Sequence, residues 1–280
     1  MSSVAGRLVL VATPIGNLGD LPPRAVEALR SCALICCEDT RHSGKLLSHA
    51  GVSGVRLAIA NEHTEDARRT EVLDLLAAGH DVAVITDAGT PGISDPGMRL
   101  VRAVIDAGAT VTAVPGPAAF VVALTMSGFD TGRFVFDGFL PRSGRERSAR
   151  LAELADEHRT VALYEAPHRV RRTVHDLLGE CGGDRRIALA RELTKLHEEV
   201  WRGTLAQAEE FLAEIEPRGE YVIVVEGAPP PAEADDAAIT AALERELSTG
   251  VDRRTAIGRV TAATGASKRR VYDLALQLPR

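Results

Sequence analysis

The sequence predicts an α/β protein of two lobes, followed by a small helical domain of helix-turn-helix type. Short β-like runs alternate with helical patterns through most of the 280 residues, which is typical of largely parallel sheets covered by helices. A Pro-Gly-Pro motif divides this alternation into two rounds, and a proline-rich, acidic stretch precedes the last helices. The predicted boundaries are 1–116 and 117–227 for the lobes, 228–236 for the linker and 237–280 for the helical tail.

In the first lobe, runs of branched and small apolar residues predict strands, and amphipathic stretches between them predict helices. The predicted strands are 7–12, 33–37, 82–86 and 110–114. The predicted helices are 24–30, 64–78 and 98–107. Strands joined through helices can run parallel, so we expect a largely parallel sheet in this lobe.

The second lobe and the tail follow from the same criteria. The predicted strands are 133–136, 160–164, 186–190 and 220–225, and the predicted helices are 143–158, 167–178 and 205–215. The tail is predicted to form helices at 237–247, 253–263 and 267–278, with Asp252 and Ser267 at helix starts. The glycine-containing turn before the last helix is typical of helix-turn-helix units, although a small packing or dimerisation module would have the same pattern.

Charge and cysteine usage limit the function classes. The 33 Lys and Arg against 39 Asp and Glu give a net charge of −6, so any polyanion site must be a local basic patch. No uncharged apolar run reaches the roughly 18 residues of a membrane span. The N-terminal stretch lacks a signal-peptide pattern, so we expect a cytoplasmic protein. The four cysteines lack paired metal-ligand spacing, which predicts neither a metal site nor a disulfide framework.

The loop DAGTPGISDPG at 87–97 is the strongest candidate for a ligand site. It follows a buried strand, at the carboxyl edge where open α/β sheets bind ligands, and its small residues favour backbone contacts. The segment YEAPHR at 164–169 ends a second-lobe strand in the same way, so we expect a cleft between the lobes.

The first loop, at 13–20, has two glycines three residues apart. This falls short of the dinucleotide-binding pattern and leaves a nicotinamide-linked oxidoreductase as a weak alternative.

Seven motifs together resemble one known family. They are VATPIGNLGD (11–20), EDTRHSG (38–44), DAGTPGISDPG (87–97), PGP (115–117), GFLPR (138–142), YEAPHR (164–169) and RELTKLHEE (191–199). In this order along nearly the whole chain, they resemble the small-subunit ribosomal RNA methyltransferase I family of the tetrapyrrole methylase superfamily. The resemblance implies a homodimer of two tetrapyrrole-methylase-type lobes that binds S-adenosylmethionine in the cleft. It also implies methylation of the ribose 2′-hydroxyl of a cytidine in the decoding region of 16S rRNA, within the small ribosomal subunit.

The resemblance also assigns cofactor-binding positions to both lobes. They are Pro14, Asp87, Ala88, Gly89, Ile93, Ser94, Ala118, Ala119, Tyr164, Glu165 and Ala166. One departure from the family pattern is visible, because Ala118 follows Pro117 where a serine is expected. A hydroxyl contact to the cofactor is therefore lost at this position, while a backbone contact remains available.

RNA affinity is expected from two local patches, an arginine-rich stretch of the second lobe and the start of the last tail helix. Their residues are Arg142, Arg145, Arg147, Arg150, Lys268, Arg269 and Arg270.

A ribose hydroxyl is a poor nucleophile, so we expect a proton-accepting group at the strand ends. The candidates are Glu38, Asp39, His42, Glu192 and Lys195. Most such charges in proteins are solvated surface pairs. A tetrapyrrole C-methyltransferase and a ligand-sensing helix-turn-helix regulator remain the alternative functions.

Overall fold

The computed structural model describes residues 6–61, 64–229 and 234–278. The chain divides into two compact units, Met1–Ala228 and Pro229–Arg280. The boundary between the units falls at the start of the predicted linker, of which residues 230–233 lie outside the described part of the chain. The first unit contains two five-stranded sheets, and the second is helical.

The first sheet is parallel throughout, as predicted, with strand order β3-β2-β4-β1-β5. Its strands are β1 (Arg7–Val11), β2 (Leu34–Cys37), β3 (Arg56–Ile59), β4 (Val82–Val84) and β5 (Thr110–Val114). Its helices are α1 (Pro23–Ser31), α2 (Thr40–His49), α3 (Glu65–Ala77) and α4 (Met98–Asp106). All residues of the central strands β2 and β4 are buried, because helices cover both faces of the sheet. The carboxyl ends of these strands therefore form one edge, which the ligand-site prediction requires.

The second sheet is mixed, with strand order β6-β7-β10-β8-β9. Its strands are β6 (Phe134–Phe139), β7 (Thr160–Glu165), β8 (Arg186–Arg191), β9 (Glu199–Thr204) and β10 (Tyr221–Val225). The helices of this part are α5 (Ala119–Ser127), α6 (Gly144–Asp156), α7 (Pro167–Cys181) and α8 (Leu205–Glu214). Only the β6–β7 pair is parallel, and the other three pairs are antiparallel. This part is thus α/β, as predicted, with a fully buried β10 at its centre.

Besides a short 3-10 helix at Leu18–Asp20, two α-helices and two strands of the described residues are absent from the sequence-based prediction, namely α2, α5, β3 and β9. The helix α5 is almost entirely apolar and packs within the cluster that joins the first-lobe loop residue Ile15 to the second sheet. A helix that is apolar on every face has no amphipathic period, so its sequence carries no periodic signal. The strand β9 lies at a sheet edge and is only partly buried, which removes the hydrophobic run typical of a central strand.

The second unit contains three helices, as predicted, which are α9 (Asp236–Ser248), α10 (Arg253–Thr264) and α11 (Lys268–Gln277). Asp252 accepts a hydrogen bond from the Thr255 amide at 3.0 Å, and Ser267 accepts one from the Arg270 amide at 3.3 Å. Both residues are therefore the N-caps that the sequence predicts. Gly265 ends α10 with a φ of +66°, a backbone conformation that favours glycine. A small core holds the three helices together, and its central side chains are Ile239, Leu243, Ile257, Val260 and Val271.

Candidate active site

A cavity of about 380 Å³ lies between the two sheets of the first unit. Its first-lobe wall comes from the carboxyl ends of the parallel strands, and its second-lobe wall comes from the end of β7 and the start of β10. The lining residues are Ile15, Glu38, Thr86, Asp87, Ala88, Gly89, Thr90, Ile93, Ser94, Asp95, Ala118, Ala119, Phe139, Tyr164, Glu165, Ala166, Pro167, Leu193, Glu220, Tyr221 and Val222. The volume is that of a typical small-molecule site.

Backbone hydrogen bonds hold the loop at 87–97 in place. The amide of Thr13 donates to the carbonyl of Gly89 at 2.8 Å, and the Gly89 amide donates back to Thr13 at 3.1 Å. The hydroxyl of Thr90 donates to the carbonyl of Pro117 at 3.1 Å. Gly89 has a φ of +91°, which an L side chain rarely adopts. The three loops that follow β1, β4 and β5 are therefore tied into one surface.

The second-lobe wall consists of Tyr164 and the residues that follow it. The Tyr164 ring contacts Phe136 edge-on, with ring centroids 5.0 Å apart, and burial raises the pKa of its hydroxyl. The side chain of Glu165 is buried and accepts hydrogen bonds from Thr173 at 2.6 Å and from the Ala166 amide at 2.9 Å. Its other partner is Arg169, with Nε 3.1 Å from Oε1. Through these contacts, the Glu165 carboxylate ties the end of β7 to the helix α7 that follows it.

Three carboxylates line the first-lobe side, and two of them have a raised pKa. Burial, together with the negative charge of Glu38, raises the pKa of Asp95 to about 6 and raises that of Asp87 as well. Glu38 accepts hydrogen bonds from the Thr86 hydroxyl and, at 3.2 Å, from the Asp87 amide. Within the described residues, Oδ1 of Asp87 is buried and has no hydrogen-bond partner. The cavity therefore offers an unsatisfied acceptor and a carboxylate poised to exchange a proton near neutral pH.

The predicted cofactor residues meet at this cavity, with one exception. Ten of the eleven positions line it. Pro14 is buried and does not line the cavity, whereas the next residue, Ile15, does. Asp95, Leu193 and the start of β10 also line it and are absent from the sequence-based prediction. Asp95 lies within the loop at 87–97, so this sequence motif could have identified it as a residue that lines the cavity.

The five predicted proton acceptors do not form one group. Of these, only Glu38 lines the cavity. Hydrogen bonds from Arg41 lower the pKa of Asp39 to about 2, and His42 is exposed on α2. Asp39 is the N-cap of this helix, where it accepts from the Arg41 amide at 2.7 Å. Asp39 therefore caps α2, and its carboxylate is a weaker base than an ordinary one.

Lys195 and Glu192 form an ion-paired cluster with Glu220. The Lys195 ammonium lies 2.9 Å from Oε1 of Glu192 and 2.8 Å from Oε2 of Glu220. Burial acts to lower the pKa of Lys195, but the hydrogen bonds to both carboxylates outweigh it and raise this pKa. Burial likewise acts to raise the pKa of Glu192, and the hydrogen bonds from Lys195 and the Glu220 amide lower it. The raised pKa favours the protonated form of Lys195, and the lowered pKa makes Glu192 a weaker base than an ordinary carboxylate.

The predicted RNA-facing residues divide into exposed and internally paired groups. Arg142, Arg145, Lys268 and Arg269 are exposed. The paired group is Arg147, which is buried, Arg150, which pairs with Asp137 and Glu153, and Arg270, which lies 2.7 Å from Asp236. Because Arg147 faces the protein interior, the structure removes it from the predicted RNA-facing surface.

Arg147 is instead predicted to stabilise the second lobe. Its guanidinium donates to Oδ2 of Asp176 at 2.8 Å, to the Pro141 carbonyl at 2.9 Å and to the Thr173 hydroxyl at 3.0 Å. Arg147→Ala is expected to lower the free energy of unfolding by about 1.5–3 kcal/mol, because it removes a buried charged donor from Asp176, the Pro141 carbonyl and the Thr173 hydroxyl. Arg145→Ala, on an exposed position of the same helix, is expected to change it by less than about 0.5 kcal/mol. Urea denaturation of the two variants measures the difference, and equal stabilities would contradict this role.

Two further observations concern the described part of the chain. No group of three or more His, Cys, Asp or Glu side chains is arranged to hold a metal ion in those residues. None of the helices that the structure describes is long and apolar enough to cross a membrane.

The profile of the Tetrapyrrole (Corrin/Porphyrin) Methylases family matches residues 7–209, which is most of the chain. The chain therefore belongs to this class of proteins. Two solved structures share the fold, a uroporphyrin-III-C-methyltransferase from Thermus thermophilus and a precorrin-6Y methylase from Archaeoglobus fulgidus. The first gives a TM-score of 0.53 at 19% identity and covers 80% of this chain and 93% of its own. The second gives 0.55 at 20% identity and covers 80% and 100%.

Full-length relatives narrow the class to one family. A protein of Synechocystis sp. is 45% identical over 276 residues, which cover 98% of both chains. One of Pseudomonas aeruginosa is 42% identical over 277 residues, again 98% of both chains. Both are named ribosomal RNA small subunit methyltransferase I. The chain belongs to this ribosomal RNA small subunit methyltransferase I family, as the resemblance of its motifs implied, and it is an enzyme that transfers methyl groups.

Proposed function

We propose that this enzyme transfers a methyl group from S-adenosylmethionine to the ribose 2′-hydroxyl of a cytidine in the decoding region of 16S rRNA. Its substrate is the RNA within the small ribosomal subunit, and it acts in the cytoplasm as a homodimer. The observation that carries the proposal is the cavity of about 380 Å³, which collects ten of the eleven expected cofactor positions from both lobes. The names of the full-length relatives support rRNA as the substrate class.

The residues of the cavity fit S-adenosylmethionine. The unpartnered Oδ1 of Asp87 suits a ligand that brings an amine or a hydroxyl donor. Ala88, Gly89, Ala118 and Ala119 have no bulky side chains, so backbone groups there are within reach of a ligand. When bound, this cofactor supplies a methyl group on a positively charged sulfur.

The protein contributes position and proton transfer. Holding the hydroxyl oxygen in line with the methyl group converts the reaction into an effectively intramolecular step, which can supply most of the rate. Methyl transfer would form the O–CH₃ bond, break the methyl–sulfur bond and leave a neutral thioether, so the hydroxyl proton must pass to an acceptor. Asp95 lines the cavity and has a pKa of about 6, so near neutral pH it is mostly ionised and a stronger base than an ordinary carboxylate. We therefore assign the proton-accepting role to Asp95 in place of the five groups predicted from sequence.

The site of methylation tests this proposal. Purified enzyme is incubated with methyl-labelled S-adenosylmethionine and small ribosomal subunits lacking the modification, free 16S rRNA, or a porphyrinoid. A 2′-O-methyl group removes the neighbouring nucleophile that cleaves RNA in alkali, so a labelled dinucleotide should survive alkaline hydrolysis. Label in the porphyrinoid alone, or only in alkali-sensitive mononucleotides, would contradict the proposal. DNA binding without any turnover would favour the helix-turn-helix regulator.

The helical tail is predicted to bind RNA and to make no contact with the cofactor. Its exposed Lys268 and Arg269 lie at the start of α11, where cations can contact phosphates. A chain ending at Ala228, the last residue of the first compact unit, is expected to keep its cofactor affinity and bind rRNA about tenfold more weakly. Lys268→Gln/Arg269→Gln in the full chain is expected to reduce the salt dependence of RNA binding. Unchanged RNA affinity in both proteins, measured by filter binding, would assign the tail another role.

A further inference from the structure

A second, larger groove opens beside the cavity of about 380 Å³, which we call the cofactor cavity. It has a volume of about 710 Å³ and lies at the start of α7, where the chain also leaves β6. Its lining residues are Phe139, Leu140, Pro141, Arg142, Arg147, Ala166, His168, Arg169, Arg172 and Thr173. Four of the ten are arginines, and none of the ten is acidic. In a protein with a net charge of −6, this is a local concentration of positive charge.

The arginines of the groove have two separate roles. Arg147 pairs with Asp176 at 2.7 Å, and Arg169 pairs with the buried Glu165 at 3.1 Å and donates to the Leu140 carbonyl at 2.6 Å. These two form the floor of the groove, and their charges are neutralised within the protein. Arg142 is exposed. Arg172 is 60% exposed and forms a loose ion pair with Asp176, with its Nε 3.8 Å from Oδ2, which is beyond hydrogen-bond distance. The outer rim therefore carries two solvent-exposed guanidinium groups that an anion can reach.

The groove and the cofactor cavity share part of their walls. Phe139 and Ala166 line both. The Phe139 side chain is 53% exposed, although its ring lies 5.6 Å from the Tyr164 ring. An aromatic ring that is held on one side and open on the other is a platform on which a nucleobase can stack.

We propose that the rim of this groove binds the phosphodiester backbone of the substrate RNA and that Phe139 stacks on the base of the target nucleotide. The inference rests on the proposed function and extends it to the path of the RNA. A ribose lies between its own base and phosphate. With the phosphate at Arg142 and Arg172 and the base on Phe139, the sugar is presented at the junction with the cofactor cavity. Guanidinium groups suit this task because they bind phosphate oxygens in a bidentate manner.

The first test removes the rim charges. Arg142→Gln/Arg172→Gln is expected to weaken RNA binding at least about tenfold and to reduce the slope of log affinity against log salt by about 1.4, for two lost phosphate contacts on a single strand. Arg69→Gln removes an exposed arginine of α3, outside the groove, and is expected to change neither quantity. Cofactor affinity, measured by calorimetry, should stay at the wild-type value in both proteins. Wild-type RNA affinity in the double variant would overturn the proposal.

The second test concerns Phe139. Phe139→Ala is expected to lower the single-turnover rate at subsaturating RNA at least about fivefold, and Phe139→Trp is expected to restore most of it because stacking is retained. Phe134→Ala is the matched control, since Phe134 lies on the same strand, is 41% exposed and lines neither cavity. Equal rates for the Phe139 and Phe134 alanine variants would remove the stacking role.

These outcomes separate the inference from the proposed function. If the wild-type enzyme leaves rRNA unmethylated, the proposed function fails and the RNA path fails with it. If the wild-type enzyme methylates rRNA and the rim and Phe139 variants bind and react as it does, only the RNA path is wrong.

Discussion

Asp95→Asn is expected to lower the single-turnover rate of RNA methylation by about 10²- to 10⁴-fold, the usual contribution of a positioned general base. The substitution keeps the size of the side chain and removes its basicity. Burial and the charge of Glu38 raise the pKa of Asp95 to about 6. The base must be ionised to act, so the wild-type rate is expected to rise with pH through about 6 and then level off. The asparagine variant should lack this rise, and rapid-quench measurements across the pH range check both expectations.

Two comparisons make the Asp95 result specific. Cofactor and RNA affinities of Asp95→Asn should remain within about threefold of wild type, because the loop keeps its backbone hydrogen bonds. Asp106→Asn, at the exposed end of α4, should react at the wild-type rate. If Asp95→Asn also reacts at the wild-type rate with an unchanged pH profile, the proton leaves to water and positioning alone carries the reaction.

Gly89→Val is expected to weaken the binding of S-adenosylmethionine by at least about a hundredfold. Gly89 lines the cavity with a φ of +91°, and a Cβ atom there would lie 3.5 Å from Cγ2 of Ile15 and 3.8 Å from the Pro117 carbonyl. A β-branched residue therefore adds bulk to the cavity wall and forces a strained backbone. Calorimetric titration with the cofactor measures the loss.

The strain itself requires a control, because it could lower affinity by loosening the loop. Gly108 has a φ of +72°, and a Cβ atom added there would have no neighbour within 4 Å among the described residues. Gly108→Val therefore introduces a similar backbone strain at a position away from the cavity. It is expected to bind the cofactor as the wild type does. A folded Gly89→Val protein with wild-type affinity would show that the loop at 87–97 does not form the cofactor site.

The parallel sheet of the first lobe could be predicted because its central strands are buried on both faces. Such strands read as continuous apolar runs, as in 34–37 and 82–84, and helical patterns between them require parallel crossovers. The tail helices could be predicted from local chemistry, since Asp252 and Ser267 cap the helices that follow them. The helix α5 could not, because its sequence is almost entirely apolar and so lacks the polar face on which a periodic signal depends.

The sequence by itself determined the family, the two α/β lobes, the helical tail and the loop at 87–97 that lines the cavity. These properties reside in contiguous segments, where local propensity, turn residues and motif spacing act within a few positions. Only the tertiary structure decided that Arg147 is internal, that Lys195 keeps its proton and that Asp95 lies beside Glu38. Burial and pKa depend on groups far apart in the chain, such as Asp176 for Arg147 and Glu220 for Lys195. Desolvation and charge pairing arise only when folding brings these groups together, so no pattern along the chain carries them.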